Sequence, residues 1–283
     1  MARRALLSDL QTHLKDGDFR DLVTRHDKEI DRFLIDSIRG RFPDHAFVTE
    51  EHDHPPADDQ APIWIIDPID GTTNFVTSRD YFAVSVAHYR GSEAVFGIVY
   101  DVMADDLHLG IAGGGAYLNG QPLMIADLAQ GIDQRAPTPL EESVIECSLI
   151  CSHRLVERFG ADVNRLATGF RAQRANGCAS VGICRIARGM LDVYVSCSLS
   201  LWDYAAASIV LAEAGGVTAV EVVSDDQSNG EHGVTAGRQA PGLLYHGDKR
   251  VVIAAADERV VRSVHAALFK SGGPHLATLR LER

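Results

Sequence analysis

The sequence predicts a mixed α/β fold in which an α+β half is followed by an α/β half. From residue 82 to 120, short apolar runs alternate with glycine-containing turns, which is typical of antiparallel strands. From residue 144 onward, strand-like runs alternate with helical patterns, which is typical of an α/β arrangement. The 283 residues, 46% hydrophobic and 23% charged, are enough for one large domain or two halves that share a core.

Composition excludes several classes of protein. The chain has 27 Lys and Arg against 39 Asp and Glu, a net charge of −12, so a general nucleic-acid binder is not expected. No apolar stretch reaches the roughly 18 residues of a membrane span, so no membrane partner is expected. The five cysteines make an odd count without zinc-site spacing. We expect free, buried thiols in a reducing cytoplasm.

The first half begins with helical patterns and continues with strands. Leu6, Leu7, Leu10 and Leu14 have the spacing of an amphipathic first helix. A second helix is predicted over 26–42, before Pro43. A short strand is predicted at 46–48, and a buried strand at 63–66 stops at Asp67. Further strands are predicted at these positions: 82–86, 94–100, 107–112 and 116–118.

A polar, proline-containing segment, 126–142, is the predicted boundary between the halves. In the second half we expect the following elements: a strand at 144–151, helices at 153–168 and 177–189, a strand at 191–195, a helix at 203–214, strands at 217–223 and 251–255, and a helix after Asp257. Between the last two strands, the long polar segment 224–242 predicts a mobile flap or partial disorder.

The strongest chemical pattern runs from Trp64 to Phe75, with the sequence WIIDPIDGTTNF. Asp67 ends a buried strand, where the ligand sites of open sheets gather, and Asp70 follows in the same loop. Gly71 and the next two threonines predict a helix start whose N–H groups suit a phosphate. Two carboxylates without a soft ligand nearby favour Mg²⁺ or Mn²⁺. The Asp67-Pro68 pair or the Asp70-Gly71 pair, taken alone, would indicate no more than a turn.

Two other acidic positions are weaker signals when taken singly. Glu50 and Glu51 follow a predicted strand, although adjacent glutamates usually form a solvated surface. Asp203 stands in the segment from Leu201 to Ser208, where it is expected at the N-cap of a helix. Neither position would indicate a site without the Trp64–Phe75 motif.

Together these three segments resemble the inositol monophosphatase family, within the fructose-bisphosphatase-like, metal-dependent and lithium-sensitive phosphatases. The similarity runs from Asp21 to Ala254, and it rests chiefly on the Trp64–Phe75 segment and on Trp202–Gly216. The resemblance implies a five-layer αβαβα sandwich and a homodimer. It also implies a single composite catalytic domain, built from residues 1–135 with Glu50 and the Asp67–Thr72 loop and from residues 136–283 with Asp203.

The resemblance implies roles for individual residues. Glu50, Asp67 and the Ile69 carbonyl would hold one Mg²⁺, and Asp67, Asp70 and Asp203 a second, with a weaker third ion near Glu50. The implied catalytic residues are Glu50, Thr72, Asp27 and Asp70, with Thr72 and Asp27 orienting the attacking water. The implied substrate contacts are Asp70, Gly71, Thr72, Gly177, Cys178, Ala179, Ser196 and Asp203.

The expected activity is Mg²⁺-dependent hydrolysis of a small phosphate monoester, with inositol 1-phosphate as the first candidate. Ser196 stands where inositol phosphatases of the family have a glutamate that contacts the sugar, which leaves the substrate open. Histidinol phosphate is the main alternative, and fructose 1,6-bisphosphate or a nucleotide 3′-phosphate are others. A regulatory interaction protein is also an alternative, although such a protein would not need all four acids.

Overall fold

The structure is a computed structural model that describes residues 2, 12–14, 22–51, 53–54, 61–125, 139–223, 249–269 and 277–279. Most of the predicted first helix, most of the boundary segment 126–142 and the segment 224–242 lie outside these residues. The helix prediction is wrong for Leu14, which lies in a short strand. In the described part of the chain, no helix has the length and apolar character needed to cross a bilayer.

A small hairpin precedes the first long helix. Strand β1 (Thr12–Leu14) pairs antiparallel with β2 (Leu22–Thr24), and helix α1 (Arg25–Arg39) follows at once. Thr24 caps this helix, because its hydroxyl accepts from the His26 N–H while the Asp27 carboxylate accepts from the Thr24 N–H. Helix α1 ends three residues before the predicted position, with Gly40 as its C-cap, and Pro43 disfavours a helical conformation at Phe42.

The first sheet has eight strands among the described residues. They are β3 (Ala46–Thr49), β4 (Asp53–His54), β5 (Pro62–Asp70), β6 (Ala83–Arg90), β7 (Glu93–Asp101), β8 (Asp106–Ile111), β9 (Gly115–Leu118) and β10 (Gln121–Leu123). Their order is β10-β9-β8-β7-β6-β5-β3-β4, and every neighbouring pair is antiparallel except β3 and β5. The predicted antiparallel pairing is confirmed.

The second sheet has six strands among the described residues. They are β11 (Val144–Glu146), β12 (Ala172–Arg174), β13 (Val193–Leu199), β14 (Val217–Val223), β15 (Lys249–Ala255) and β16 (Ala277–Leu279). Their order is β12-β11-β13-β15-β14-β16. Strands β12, β11 and β13 run parallel, whereas the other neighbours are antiparallel.

Six helices accompany the two sheets in the described part of the chain after β5. They are α2 (Thr72–Thr77), α3 (Leu149–Phe159), α4 (Val163–Thr168), α5 (Ala179–Ala187), α6 (Leu201–Glu213) and α7 (Glu258–Leu268). The predicted strand 144–151 is wrong beyond Glu146, because the Ser148 hydroxyl accepts from the Cys151 N–H and starts α3. The predicted helix 153–168 is divided at Gly160, which has a left-handed φ of 63°.

The predicted five-layer order is confirmed by the way successive strand residues alternate between faces. On β5, Ile65 packs with α5 and α6, whereas Trp64 and Ile66 pack on the α1 side. On β15, Val252 faces the same central helices, whereas Ile253 packs with α3 and α7. Helices α5 and α6 therefore form the middle layer between the two sheets, and α1, α3 and α7 cover the outer faces.

Two glycines let helix α6 approach the first sheet closely. A Cβ atom at Gly97 would collide with the Ala206 carbonyl oxygen and lie 2.9 Å from the Ala206 Cα. A Cβ atom at Gly110 would lie 2.7 Å from the Val210 Cα. Real Cβ atoms essentially never come within 3.0 Å of other heavy atoms, so this packing requires glycine at both positions.

Candidate active site

Strand β5 carries the acidic motif into the protein interior. It continues through Asp70, beyond the predicted end at Asp67, but its pairing with β6 is irregular between these two residues. Pro68 has no N–H to donate, which accounts for the interruption. Asp67 is 2% exposed and Asp70 7%, and the Asp67 Oδ1 accepts from the Ile69 N–H at 3.0 Å.

The carboxylate of Asp70 is held by the beginning of helix α5. Its Oδ1 accepts from the Ala179 N–H at 3.2 Å, and its Oδ2 accepts from the Ser180 N–H and the Ser180 hydroxyl, both at 2.6 Å. The Cys178 thiol donates to the same Oδ2 at 3.2 Å. The predicted substrate strip 177–179 thus lies directly beside Asp70. Ser180 was not among the predicted site residues, because a hydroxyl near a helix start is by itself no signal of a bond to a distant acid.

Gly71 joins the acidic loop to helix α2 in a conformation that requires glycine. Its φ is 90°, in the left-handed region. A Cβ atom there would lie 3.2 Å from the Gly177 carbonyl oxygen and 3.3 Å from the Cys178 Cβ. This close approach brings the acidic loop against the α5 segment, which is more than 100 residues distant in sequence.

Thr72 and Asp27 meet as the family resemblance implied. The Thr72 hydroxyl lies 3.1 Å from the Ile69 carbonyl oxygen and 3.4 Å from the Asp27 Oδ1. Asp27 is 1% exposed, and burial raises the pKa of its carboxyl group, while hydrogen bonds from Thr24 act in the opposite direction. The pair places a buried carboxylate acceptor and a half-buried hydroxyl next to the acidic loop.

Glu50 and Asp203 complete the acidic group around Asp67. Glu50 directly follows β3, and its N–H donates to the Ile66 carbonyl at 3.2 Å, next to Asp67. Burial, followed by the charges of Glu50, Asp70 and Asp203, raises the pKa of Asp67 well above its ordinary value. Four acids from three separate segments of the chain therefore interact electrostatically at one place.

The prediction that Asp203 is the N-cap of α6 is wrong. The N-cap is Ser200, and Asp203 is the third helical residue of a capping box. Its Oδ2 accepts from the Ser200 N–H at 2.7 Å. The Ser200 and Asp203 pair fixes the acid at the beginning of α6, where the helix enters the site.

The oxygen atoms of the four acids and of the Ile69 carbonyl are chemically suited to bind a hard divalent cation. Carboxylates and backbone carbonyls are the ligands that Mg²⁺ and Mn²⁺ prefer, and the mutual repulsion that raises the pKa of Asp67 is what such a cation would relieve. In the described part of the chain, no three His, Cys, Asp or Glu side chains already surround a common metal position. The Asp70 and Asp203 oxygens instead accept the N–H groups described above.

A cavity of about 230 Å³ opens beside the acids. Its lining includes five predicted site residues, namely Asp70, Gly177, Ala179, Ser196 and Asp203. It also includes residues that the sequence did not indicate: Glu146, Ser148, Ala175, Tyr194, Val195, Ser198 and Leu199. Gly71, Thr72 and Cys178 are not in this lining, although Cys178 contacts Asp70 from the side.

Comparisons with known proteins show the family of the chain. The model of the inositol monophosphatase family matches residues 1–268. An inositol-1-monophosphatase of Bacillus subtilis is 36% identical over 202 residues, which cover 69% of this chain and 71% of that protein. Inositol monophosphatase 1 of Mus musculus is 32% identical over 229 residues, 77% of each chain.

A solved relative supports the fold. Inositol monophosphatase II of Staphylococcus aureus is 26% identical in its inositol monophosphate-bound structure, with a TM-score of 0.64 over 84% of this chain and 80% of that one. The same protein with 2′-AMP bound gives a TM-score of 0.65 over 85% and 81%. The chain therefore belongs to the inositol monophosphatase family of phosphoric monoester hydrolases.

Proposed function

We propose that the protein hydrolyses a small phosphate monoester with the help of Mg²⁺, and that inositol 1-phosphate is the first candidate substrate. The observation that carries this proposal is the electrostatic interaction of Asp67 with Glu50, Asp70 and Asp203, of which Asp70 and Asp203 line the cavity. The names of the relatives support the choice of ester. The homodimer remains a prediction from the resemblance, and the cytoplasmic location remains a prediction from the cysteine pattern.

Each acid has a proposed part in binding metal. Glu50, Asp67, the Ile69 carbonyl, Asp70 and Asp203 would hold the ions, with Mn²⁺ as an alternative to Mg²⁺. A bound divalent ion supplies positive charge that lowers the pKa of water and offsets charge on phosphoryl oxygens. Four carboxylates and a phosphate dianion would together carry about six negative charges, which three divalent cations would neutralise, whereas two would leave the complex negative.

The protein itself would orient the attacking water and the phosphate. The Thr72 hydroxyl, held between the Ile69 carbonyl and Asp27, would hold the water in position, with Asp27 as the buried acceptor behind it. The N–H groups of Gly71 and Thr72 remain the proposed donors to the phosphate. Positioning and charge stabilisation of this kind are the main contributions of proteins to phosphoryl transfer.

Histidinol phosphate is a second candidate, which one observation favours. Among the described residues that line the cavity there is no Lys or Arg, whereas Asp70, Asp203 and Glu146 are present. A cationic alcohol would therefore meet carboxylates in this cavity and no described basic side chain. The two candidates are distinguished by the ester that the protein hydrolyses with the higher kcat/KM.

The test is phosphate release from a panel of esters with Mg²⁺ and with EDTA. The panel contains inositol 1-phosphate, histidinol phosphate, fructose 1,6-bisphosphate, adenosine 3′,5′-bisphosphate and 2′-AMP, ranked by kcat/KM. Asp203→Asn should lower turnover about 10²-fold or more while the thermal melting temperature is retained. The control is Asp36→Asn, the same change at an exposed acid of α1, which should leave turnover unchanged. Activity that is equal in EDTA, or unchanged in folded Asp203→Asn protein, would refute the proposal.

A further inference from the structure

Glu146 places a third carboxylate in the cavity, outside the acidic group proposed to bind metal. It is the last residue of β11 and is 3% exposed. It lines the same cavity as Asp70 and Asp203. A carboxylate this deeply buried is costly unless its charge has a use, and the proposed hydrolysis does not use it.

The side chain of Glu146 is fixed in relation to the acidic loop. Its Oε1 accepts from the Asn176 N–H at 3.1 Å, and its Oε2 accepts from the Asn176 Nδ2 at 2.9 Å. The Asn176 carbonyl in turn accepts from the Asn74 Nδ2 at 2.7 Å. Since Asn74 lies in α2, directly after the Asp70–Thr72 loop, the carboxylate is held at a defined place relative to the phosphate site.

Charged and polar neighbours leave Glu146 able to accept another hydrogen bond. Each of its oxygens has a second lone pair beyond the one used by Asn176. Burial raises the pKa of the Glu146 carboxyl group, while hydrogen bonds from Asn176 and the positive charge of Arg185, which stacks over the Tyr81 ring at 4.8 Å, act in the opposite direction. Among the described residues, however, no Lys or Arg nitrogen lies within 4.0 Å of the Glu146 carboxylate.

The rest of the cavity offers weaker acceptors to an alcohol. Apart from the acids, its polar side chains are three serines and one tyrosine, namely Ser148, Ser196, Ser198 and Tyr194. A hydrogen bond to a carboxylate is stronger than one between neutral groups. Glu146 is therefore the strongest acceptor in the lining that the proposed metal site does not use.

We propose that Glu146 determines substrate specificity by accepting a hydrogen bond from a donor group on the alcohol part of the phosphate ester. This inference rests on the proposed function and adds the chemical feature that the ester must carry. A hydroxyl group of a polyol or a protonated amine would both satisfy it. A site built around such a bond rejects analogues without the donor, because the lone pairs of the buried carboxylate that Asn176 does not use are then left without a hydrogen bond.

The experiment compares three esters in the full-length protein with Mg²⁺. Inositol 1-phosphate carries hydroxyl donors, histidinol phosphate carries an amine, and cyclohexyl phosphate has the ring of inositol without any donor. The wild-type protein should prefer at least one donor-bearing ester over cyclohexyl phosphate by about 10- to 100-fold in kcat/KM, the effect of one hydrogen bond to a charged group. In Glu146→Leu this preference should fall to within about threefold of unity.

Glu146→Gln distinguishes the two donor types. Glutamine keeps a neutral acceptor but loses the charge. For an ester that binds through a hydroxyl, kcat/KM should therefore fall less than about fivefold. For an ester that binds through an amine, kcat/KM should fall as much as it does in Glu146→Leu. Glu142→Gln, the same change at an exposed residue four positions earlier, is the matched control. Thermal melting identifies variants that fail to fold.

The outcomes separate this inference from the proposed function. If the wild-type protein hydrolyses none of the esters with Mg²⁺, the proposed function is wrong, and the inference that rests on it is wrong as well. A second outcome is that the wild type is active but Glu146→Leu and Glu146→Gln lower kcat/KM equally for all three esters, or for none. In that case Glu146 does not bind the alcohol part of the substrate. A selective loss for donor-bearing esters in folded variants supports the inference.

Discussion

Replacing Gly97 with alanine is expected to move the helix that carries Asp203. The added Cβ would collide with the Ala206 carbonyl and lie 2.9 Å from the Ala206 Cα, so an ordinary contact of at least 3.4 Å needs a shift of about half an ångström or more. Overpacking of this kind costs about 1–3 kcal/mol of the free energy of unfolding. Because Ala206 lies one helical turn from Asp203, the same shift should displace the carboxylate.

The expected loss of activity follows from that displacement. A misplacement of about 1 Å in an active site can lower rates about 10²-fold, so we expect kcat/KM of Gly97→Ala to fall about 10- to 100-fold. Urea unfolding measures the stability loss, and phosphate release from the best ester of the panel measures the activity. Gly97→Ala protein with unchanged kcat/KM and a free energy of unfolding within about 0.5 kcal/mol of wild type would refute the packing argument.

Gly110→Ala and Gly40→Ala are the matched controls for this experiment. Gly110 meets the same helix at Val210, two turns from Asp203, so its alanine variant should lose similar stability but less than about fivefold of kcat/KM. Gly40 has an ordinary helical φ of −61° at the exposed end of α1. Its alanine variant should stay within about 0.5 kcal/mol of wild type.

Three other measurements test separate features of the molecule. Thr72→Ala should lower kcat about 10²-fold while Thr72→Ser largely restores it, because serine keeps the hydroxyl that faces Asp27; equal losses in both variants would contradict this role. Burial lowers the pKa of His108 to about 4, so the unfolded chain binds the extra proton between about pH 6.5 and 4, and the free energy of unfolding should fall by up to about 3 kcal/mol as the pH falls through that range. His108→Leu should remove this part of the pH dependence in urea titrations, and an unchanged slope would be evidence against it. The five cysteines are free and buried, so a thiol reagent should label on average less than about one thiol per chain in the native protein and all five after denaturation. Rapid labelling of several thiols in the native protein would contradict their burial.

The parts of the fold that could be predicted are those decided by local patterns. The strands of the first sheet follow from apolar runs between glycine turns, and Asn119 and Gly120 both have the positive φ that a tight hairpin turn needs. The predicted strand 144–151 was too long because Leu149 and Ile150 are apolar but exposed. Periodicity does not distinguish such residues from a buried strand.

The candidate site could be predicted only where acids follow recognisable strands or motifs. Asp67 and Asp70 belong to one continuous segment, and the resemblance supplied Glu50, Asp203 and Asp27. Glu146 could not be found in this way, because its burial and its bonds depend on Asn176, 30 positions further along the chain. Ser180 was missed for a similar reason, since its partner Asp70 is 110 positions away.

The bonds that α5 makes to Asp70 have a consequence for how this protein can be recombined with its relatives. Asp70 of the first sheet accepts hydrogen bonds from N–H groups at the start of α5, which have no partner within the helix. The Asn74 amide donates to the Asn176 carbonyl in the segment just before α5. A hybrid gene that joins one parent's acidic loop to another parent's central helix would keep the backbone partners but could lose the side-chain donors to Asp70, the Ser180 hydroxyl and the Cys178 thiol. Exchange between family members should therefore succeed when the 70–74 and 176–180 segments come from the same parent.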